Sequence, residues 1–368
     1  MEPVISKFVE EHNELRFTVH GINVSFANAL RRIILSEIPI LVFRTTPYEK
    51  CLATFDINTS RLNNELIKQR LSCIPIHITD VEFPYKDYVL EVDKKNDSDA
   101  IDFVTTADFK LKNIVTGAYM PKAESDKVFP PNPLTGQHID FVRLRPRISA
   151  DIDGERLKLS CKLDIGTAQQ DSTFNVVATC AYGNSPDPAK IKSEWVKKAS
   201  ELSKSGSTPA EIEFLHTDWL LLDAKRIFMP DSFDFIIESV GPFTNISIVY
   251  KAIQIMLKKL TKFKMTMETE HGLIAKTAST VENGFDITIP NEGYTLGKAI
   301  EFVLYNNHYG KSVTYCGFIK PHPHIDVCRI RLGFKDPMDT ASVISYLTNA
   351  ADETIKVFET MALAFREK

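Results

Sequence analysis

The stretch Ser25-Phe26-Ala27-Asn28-Ala29-Leu30-Arg31-Arg32-Ile33-Ile34-Leu35-Ser36-Glu37-Ile38-Pro39 has the start, the stripe and the stop of a helix. Ser25 can cap the first turn through its hydroxyl, and Pro39 pushes the residue before it out of helical geometry. Phe26, Leu30, Ile33 and Ile34 fall at i, i+4, i+7 and i+8, one apolar face. Leu35 lies almost opposite that face, beside Arg31 and Arg32. An ordinary core helix with two solvated arginines has this periodicity. A second apolar side carrying paired arginines also marks a helix that meets something besides its own core.

Outward from this helix, Leu15, Phe17 and Val19 alternate with Arg16, Thr18 and His20, so residues 1–22 read as strand, closed by Gly21. Ile40–Tyr48 is a β-branched apolar run, Ser60–Ser72 a short helix, and Ile74-Pro75-Ile76-His77-Ile78 a return to strand. From about Pro84 the chain turns to short alternating segments, Asp102–Leu111, Phe141–Leu144, Leu157–Leu163 and Phe174–Ala181, which read as an antiparallel β unit. Asn184–Glu211 reads as an exposed Ser/Lys-rich excursion with a weak helix near Ser193–Ser203. Phe233–Ser239 alternates again. After Gly241-Pro242 a long helix carries Ile246, Val249, Tyr250, Ile253, Met256, Leu257, Leu260 and Phe263.

Asn28–Pro39 closely resembles the first helix of the α-type assembly subunits of multisubunit RNA polymerases, the family of bacterial α, archaeal D and the eukaryotic third-largest subunit. Asn64-Glu65-Leu66-Ile67-Lys68-Gln69-Arg70-Leu71-Ser72-Cys73-Ile74-Pro75-Ile76 resembles a second segment of the archaeal and eukaryotic members, and Asp171–Tyr182 with Pro186-Asp187-Pro188 resembles their insert-domain strand before a turn. The last hundred or so residues resemble the small partner of that family, archaeal L. There Asn291–Ile300 is similar to the start of the partner's helix, His322-Pro323 to its turn, and Asp336-Pro337 opens a final helix. Ser25–Leu30 and Thr295–Ile300 agree class by class, which makes an internal repeat. In the last helix Ile344, Ala351, Phe358 and Phe365 fall seven apart, with Leu347 and Met361 offset by three, a seam for another long helix.

The resemblance implies an α+β chain of two related strand–helix dimerisation modules. The D-like module is discontinuous, 1–83 and 228–264. A β-rich domain at 84–227 interrupts it, and a linker at 265–284 leads to the L-like module, 285–368. The implied dimerisation contacts are Phe26, Leu30, Ile33, Ile253, Leu257, Leu260, Leu296, Ile300, Ile344, Leu347 and Phe358. The implied docking surface for the second-largest subunit holds Arg31, Arg32, Glu65 and Arg70, with the largest subunit and a small zinc-bearing subunit on the other side. With the two modules tethered, no homodimer is expected. Cellular members keep the parts separate, so a joined chain fits a large DNA virus, in its virion and the host's cytoplasmic factory or nucleus.

Composition and missing motifs narrow the chemistry. A net charge of −4 argues against a chain whose main task is gripping nucleic acid, so DNA is expected only indirectly, through the complex. Six cysteines without a C-x-x-C pair fit a reducing intracellular compartment. The most apolar run, Ile33–Phe43, is too short to span a bilayer, and no membrane partner is expected. The carboxylates of Asp151-Ile152-Asp153 precede Gly154 as in a hairpin turn. Gly293–Lys298 is not a phosphate loop, because no Ser or Thr follows the lysine. His322, His324 and Cys328 lie close in sequence but lack a fourth ligand, and a hairpin explains their spacing. Cys161 and Cys180 alone cannot rebuild the insert's metal site found in some members, so neither metal nor cofactor is expected. Lys258, Lys259, Lys262 and Lys264 suit a helix C-terminus. Two other classes stay open at this point, a free-standing scaffold and an enzyme with its site in the insert.

Overall fold

A computed structural model describes residues 1–80, 82–149 and 153–366. Alternating apolar residues, helical stripes and turn residues divide these described residues into fifteen strands and eight α-helices. In chain order come β1 (Val4–Glu11), β2 (Glu14–His20), α1 (Val24–Ser36), β3 (Ile40–Phe43), β4 (Ala53–Asn58), α2 (Asn64–Ser72), β5 (Tyr88–Lys95), β6 (Asp102–Thr105) and β7 (Lys110–Asn113). There follow α3 (Lys122–Val128), β8 (Asp140–Leu144), β9 (Arg156–Gly166), β10 (Val177–Pro186), α4 (Pro188–Lys204), α5 (Pro209–Leu221), β11 (Phe228–Ser239) and α6 (Asn245–Thr269). The last elements are β12 (Ile274–Lys276), β13 (Gly284–Pro290), α7 (Tyr294–His308), β14 (Val313–Ile319), β15 (Val327–Phe334) and α8 (Thr340–Ala362).

Contacts divide the chain into two units. The first gathers Met1–Ile33, Thr179–Glu238 and Asn245–Lys368; the second holds Ile34–Ala178 with Ser239–Thr244. The first unit is a doubled motif. One four-stranded sheet runs β1-β2-β11-β10 and the other β12-β13-β15-β14. Each copy is two strands, a helix, two strands and a helix, and the strands take the same places in both sheets. Phe17 and Phe235 face each other across β2 and β11, with rings stacked at 5.1 Å. Phe365, beyond the end of α8, meets Phe17 edge-on at 5.0 Å. Helices α6 and α8 pack along one another, and α7 packs on α8. Ile253, Met256, Leu260, Leu347, Phe358 and Met361 are fully buried, each contributing about 1.5–3 kcal/mol of transfer free energy.

The second unit is a mixed-length antiparallel sheet, β3-β9-β5-β7 with β4 also on β9, and a two-stranded ribbon of β6 and β8. Its core gathers Leu41, Phe43, Ile67, Leu71, Leu90, Leu159 and the Phe109–Phe129–Phe141 cluster.

The α+β class holds, with two related modules and a β-rich region between them. Several expectations need correction. Residues 1–22 form a hairpin, not one strand, because His12 and Asn13 take positive φ and turn the chain. Ile74–Ile78 is irregular; Pro75 has no N–H for a ladder, and Ile74 and Ile76 go into the core instead. The stretch 184–211 is no loop, since α4 and α5 form a helical hairpin. By contacts the second unit comprises Ile34–Ala178 with Ser239–Thr244, beside the 84–227 expected for the inserted domain. Strands β3 and β4 join it because the eleven-residue β9 pairs with both, whereas β10 belongs to the first sheet. The expected linker at 265–284 is largely structured: α6 runs on to Thr269, and β12 pairs with β13, Ile274 opposite Ile287.

Candidate functional site

Asn23, not Ser25, caps α1. Its side-chain oxygen accepts from the Ser25 N–H at 2.9 Å and its carbonyl from the Phe26 N–H at 3.0 Å. Phe26, Ala27, Ala29, Leu30, Ile33 and Ile34 are all buried, so α1 is covered on more than one side, as its small alanines permit. Phe26 meets two rings of the second copy, Phe302 on α7 edge-on at 6.1 Å and Phe358 on α8 at 5.7 Å. Arg32 Nε donates to the Thr295 hydroxyl at 3.0 Å, and Arg31 donates to Asn28 Oδ1 on its own helix at 2.9 Å.

These contacts have the reciprocity of a two-fold interface. With Ser25 aligned on Thr295, Arg32 aligns on Phe302. Phe26 therefore touches the counterpart of Arg32, and Arg32 touches the counterpart of the residue beside Phe26. The long helices repeat the pattern of contact between copies: Lys264 on α6 pairs with Asp352 on α8 at 2.8 Å, and Lys259 on α6 with Glu292 before α7 at 3.0 Å. Two of the four lysines, which lie in the second half of α6 and not in its last turn, are thus held by carboxylates of the second copy.

Leu30, Ile33, Ile253, Leu260, Leu296, Ile300, Leu347 and Phe358 are buried in the first unit. Leu257 and Ile344 are only half-buried, and their neighbours Met256 and Val343 take the inner positions. A strict seven-residue repeat drifts around a 3.6-residue helix, and each helix here faces a sheet as well as the other helix. Sequence reading missed Thr295, Phe302 and Asp352 as contacts between the copies. Aligning the repeat residue by residue would have pointed to Phe302. The final helix starts at Thr340 and is capped by the Asp339 carboxylate on the Ser342 N–H, not opened by Asp336-Pro337.

Arg31 and Arg32 belong to the first unit, Glu65 and Arg70 to the second. Glu65 is exposed in the first turn of α2 and pairs with Lys68 at 2.8 Å. Arg70 clamps α2 to β8, donating to the carbonyls of Phe141 and Asp140 at 2.7 and 2.8 Å. Around it Gln69, Cys73, Ile74 and Ile139 line a shallow depression.

Among the described residues the other candidate constellations do not gather. His322 and His324 are exposed with ring centroids 5.1 Å apart, while Cys328 is buried in β15. Cys161 sits in one unit and Cys180 in the other. Among the described residues no three His, Cys, Asp or Glu side chains are placed to hold a metal. Asp151 and Ile152 of the expected hairpin turn lie outside the described residues. No described helix is long and apolar enough to cross a membrane.

Comparison with known proteins follows the doubled motif. The family described as the RNA polymerase Rpb3/Rpb11 dimerisation domain matches residues 16–260, and a second family of the same description matches 285–363. The DNA-directed RNA polymerases I and III subunit RPAC1 of Bos taurus is 26% identical over 292 residues, covering 69% of this chain and 81% of itself. Subunit Rpo3 of the DNA-directed RNA polymerase of Pyrococcus furiosus is 25% identical over 272 residues, covering 69% of this chain and 93% of itself. The rpac1 subunit of Dictyostelium discoideum is 26% identical over 285 residues, 68% of this chain and 77% of itself.

Proposed function

Because the chain belongs to the RNA polymerase Rpb3/Rpb11 dimerisation-domain family, we propose that it is a non-catalytic assembly subunit of DNA-directed RNA polymerase with the dimer built into one polypeptide. The observation that carries this reading is the packing of the second copy on the first through Phe26, Phe302, Phe358 and the α6–α8 pair. The coverage supports it too: relatives matched over 81–93% of themselves account for 69% of this chain, leaving room for a second module. Were the two modules on separate chains, those chains would have to find each other. Here the tether makes the encounter intramolecular, at an effective concentration on the order of millimolar, and no homodimer is needed.

On this reading the joined modules form a platform for the two largest polymerase subunits and a small zinc-bearing subunit. The contacts proposed for the second-largest subunit are Arg31 and Arg32 on the first unit and, taken by themselves, Glu65 and Arg70 on the second. The test is Arg32→Glu with Thr295→Val as its control. Both remove the hydrogen bond between the copies, but only the first reverses the charge offered to a partner. Co-purification of the second-largest subunit should fall with Arg32→Glu and persist with Thr295→Val, both chains remaining folded. Equal recovery with both variants sinks the docking role of Arg32.

A further inference from the structure

The helical hairpin α4–α5 is the part of the first unit that the dimer does not use. Its inner side is made by Trp195, stacked on His216 at 4.3 Å and against Trp219 at 5.4 Å. Both helices are well started, α4 by the Asp187 side chain and α5 by a Thr208–Glu211 capping box, each with proline in its first turn. The hairpin is therefore a built element whose outward faces are presented on regular backbone.

On α5 those faces are apolar where solvent would favour polar groups. Phe214 is 73% exposed and Leu221 59%. They stand seven residues apart on one face, with Thr217 between them and Ala210 one turn before Phe214. The next residue on, Leu222, is also exposed. Glu213 lies along one edge of the stripe and Asp218 along the other, both exposed, and Pro209–Leu221 contains no lysine or arginine. The neighbouring helix has the opposite net sign: Pro188–Lys204 carries five lysines against two glutamates, Glu194 and Glu201, with Lys197 paired to Glu194 at 2.7 Å.

We propose that the outward face of α5 is a docking surface for a partner polypeptide presenting an amphipathic segment, apolar at its centre and rimmed by lysine or arginine. Phe214 and Leu221 supply the desolvated centre, and the carboxylate edges select a basic rim. The net positive charge of α4 disfavours a shift of the same partner onto that helix. A second copy fits less well. The exposed face of its α4 has the matching charge, but offers only Val196 among serines to cover two large apolar side chains. This surface lies on other elements than the docking residues of α1 and α2, so it stands or falls separately from them.

The chain's two tryptophans, Trp195 and Trp219, both lie in this hairpin, so their emission reports on it. The full chain is titrated with a synthetic leucine–lysine amphipathic helical peptide and with its leucine–glutamate counterpart. The lysine peptide should give a saturable change in emission that weakens as salt is raised, and the glutamate peptide none. Phe214→Ser with Leu221→Ser should weaken binding roughly a hundredfold, the loss of two large apolar contacts. Both residues are exposed, so the far-UV circular dichroism should not change. Glu213→Lys with Asp218→Lys should reverse the preference between the peptides. Equal binding of both peptides, or binding of neither, overturns the proposal. So does a dimer in sedimentation that Phe214→Ser dissolves, which would make a second copy the occupant. Binding to anionic phospholipid vesicles through the same two residues overturns it as well.

Discussion

Removing the ring contact between Phe26 and Phe358 tests whether the two copies are one cooperative structure. Both side chains are fully buried, and their ring centroids are 5.7 Å apart, inside the range where aromatic pairs attract. Each Phe→Ala change should cost about 3–5 kcal/mol in lost transfer free energy and cavity. The pair itself adds roughly 0.5–1.5 kcal/mol beyond area burial, and two truncations opening one shared cavity couple by about 0.5–3 kcal/mol. Against a native stability of about 5–15 kcal/mol, the double variant sits near its unfolding threshold. The cycle is therefore run with an excluded osmolyte such as sucrose, which strengthens effective burial. Urea unfolding is followed by tryptophan emission, which reports the first unit from the α4–α5 hairpin. The expected result is that Phe358→Ala, a change in the second copy, shifts the transition seen by tryptophans carried between strands of the first. The double variant should also lose less than the sum of the singles. Additivity to within about 0.3–0.5 kcal/mol, or a tryptophan transition that Phe358→Ala leaves in place, would refute the reasoning: the copies would be neighbours rather than one folded structure.

A protease site placed at Ser279, between β12 and β13, should yield two fragments that co-elute in gel filtration, because the core between the copies does not depend on the tether; separation of the fragments counts against this. Asp286 is held below the usual carboxylate range chiefly by its paired hydrogen bonds from Arg331, at 2.6 and 2.9 Å, with Arg329 adding charge. A lowered folded-state value means that its stabilisation is fully present above the unfolded value of about 3.9 and is lost as pH falls through the folded one. Asp286→Asn should therefore cost roughly 1–3 kcal/mol at pH 7 and leave a flatter acid limb as pH falls below about 5, read from urea midpoints; an unchanged limb would show that Asp286 does not drive it. Burial pushes the thiols of Cys180 and Cys316 up to about 12 and that of Cys328 to about 11, and raises Cys161 as well. A thiol reagent at about pH 8 should label exposed Cys73 first and reach Cys161 and Cys180 only on unfolding; early loss of either buried thiol would contradict their placement.

Much of the fold was legible because its elements are locally amphipathic. The stripe of α1, the alternation of β2, the long α6 and the seam of α8 are each set by side chains a few residues apart, and the repeat shows in the match of Ser25–Leu30 to Thr295–Ile300. Element ends were less legible. Asn23 competes with Ser25 as the cap and wins, and Asp339 does the same three residues beyond Asp336. The α4–α5 hairpin was hidden by serines and lysines that read as loop, although Asp187-Pro188 and Thr208-Pro209 with Glu211 are helix-start signals at both places.

By itself, the sequence determined the α+β class, the duplication and the likeness to polymerase assembly subunits, since these rest on periodicity and on strings of residues that keep their order along the chain. Only the tertiary structure decided which sheet each strand joins, that β3 and β4 pair with β9 while β10 returns to the first sheet, and that Arg32 reaches Thr295 while Arg70 holds β8. The reason is physical. A strand's pattern records which of its faces is buried, but its hydrogen-bonding edges are the same backbone groups in every strand, and an arginine's partner depends on which chain segment arrives beside it.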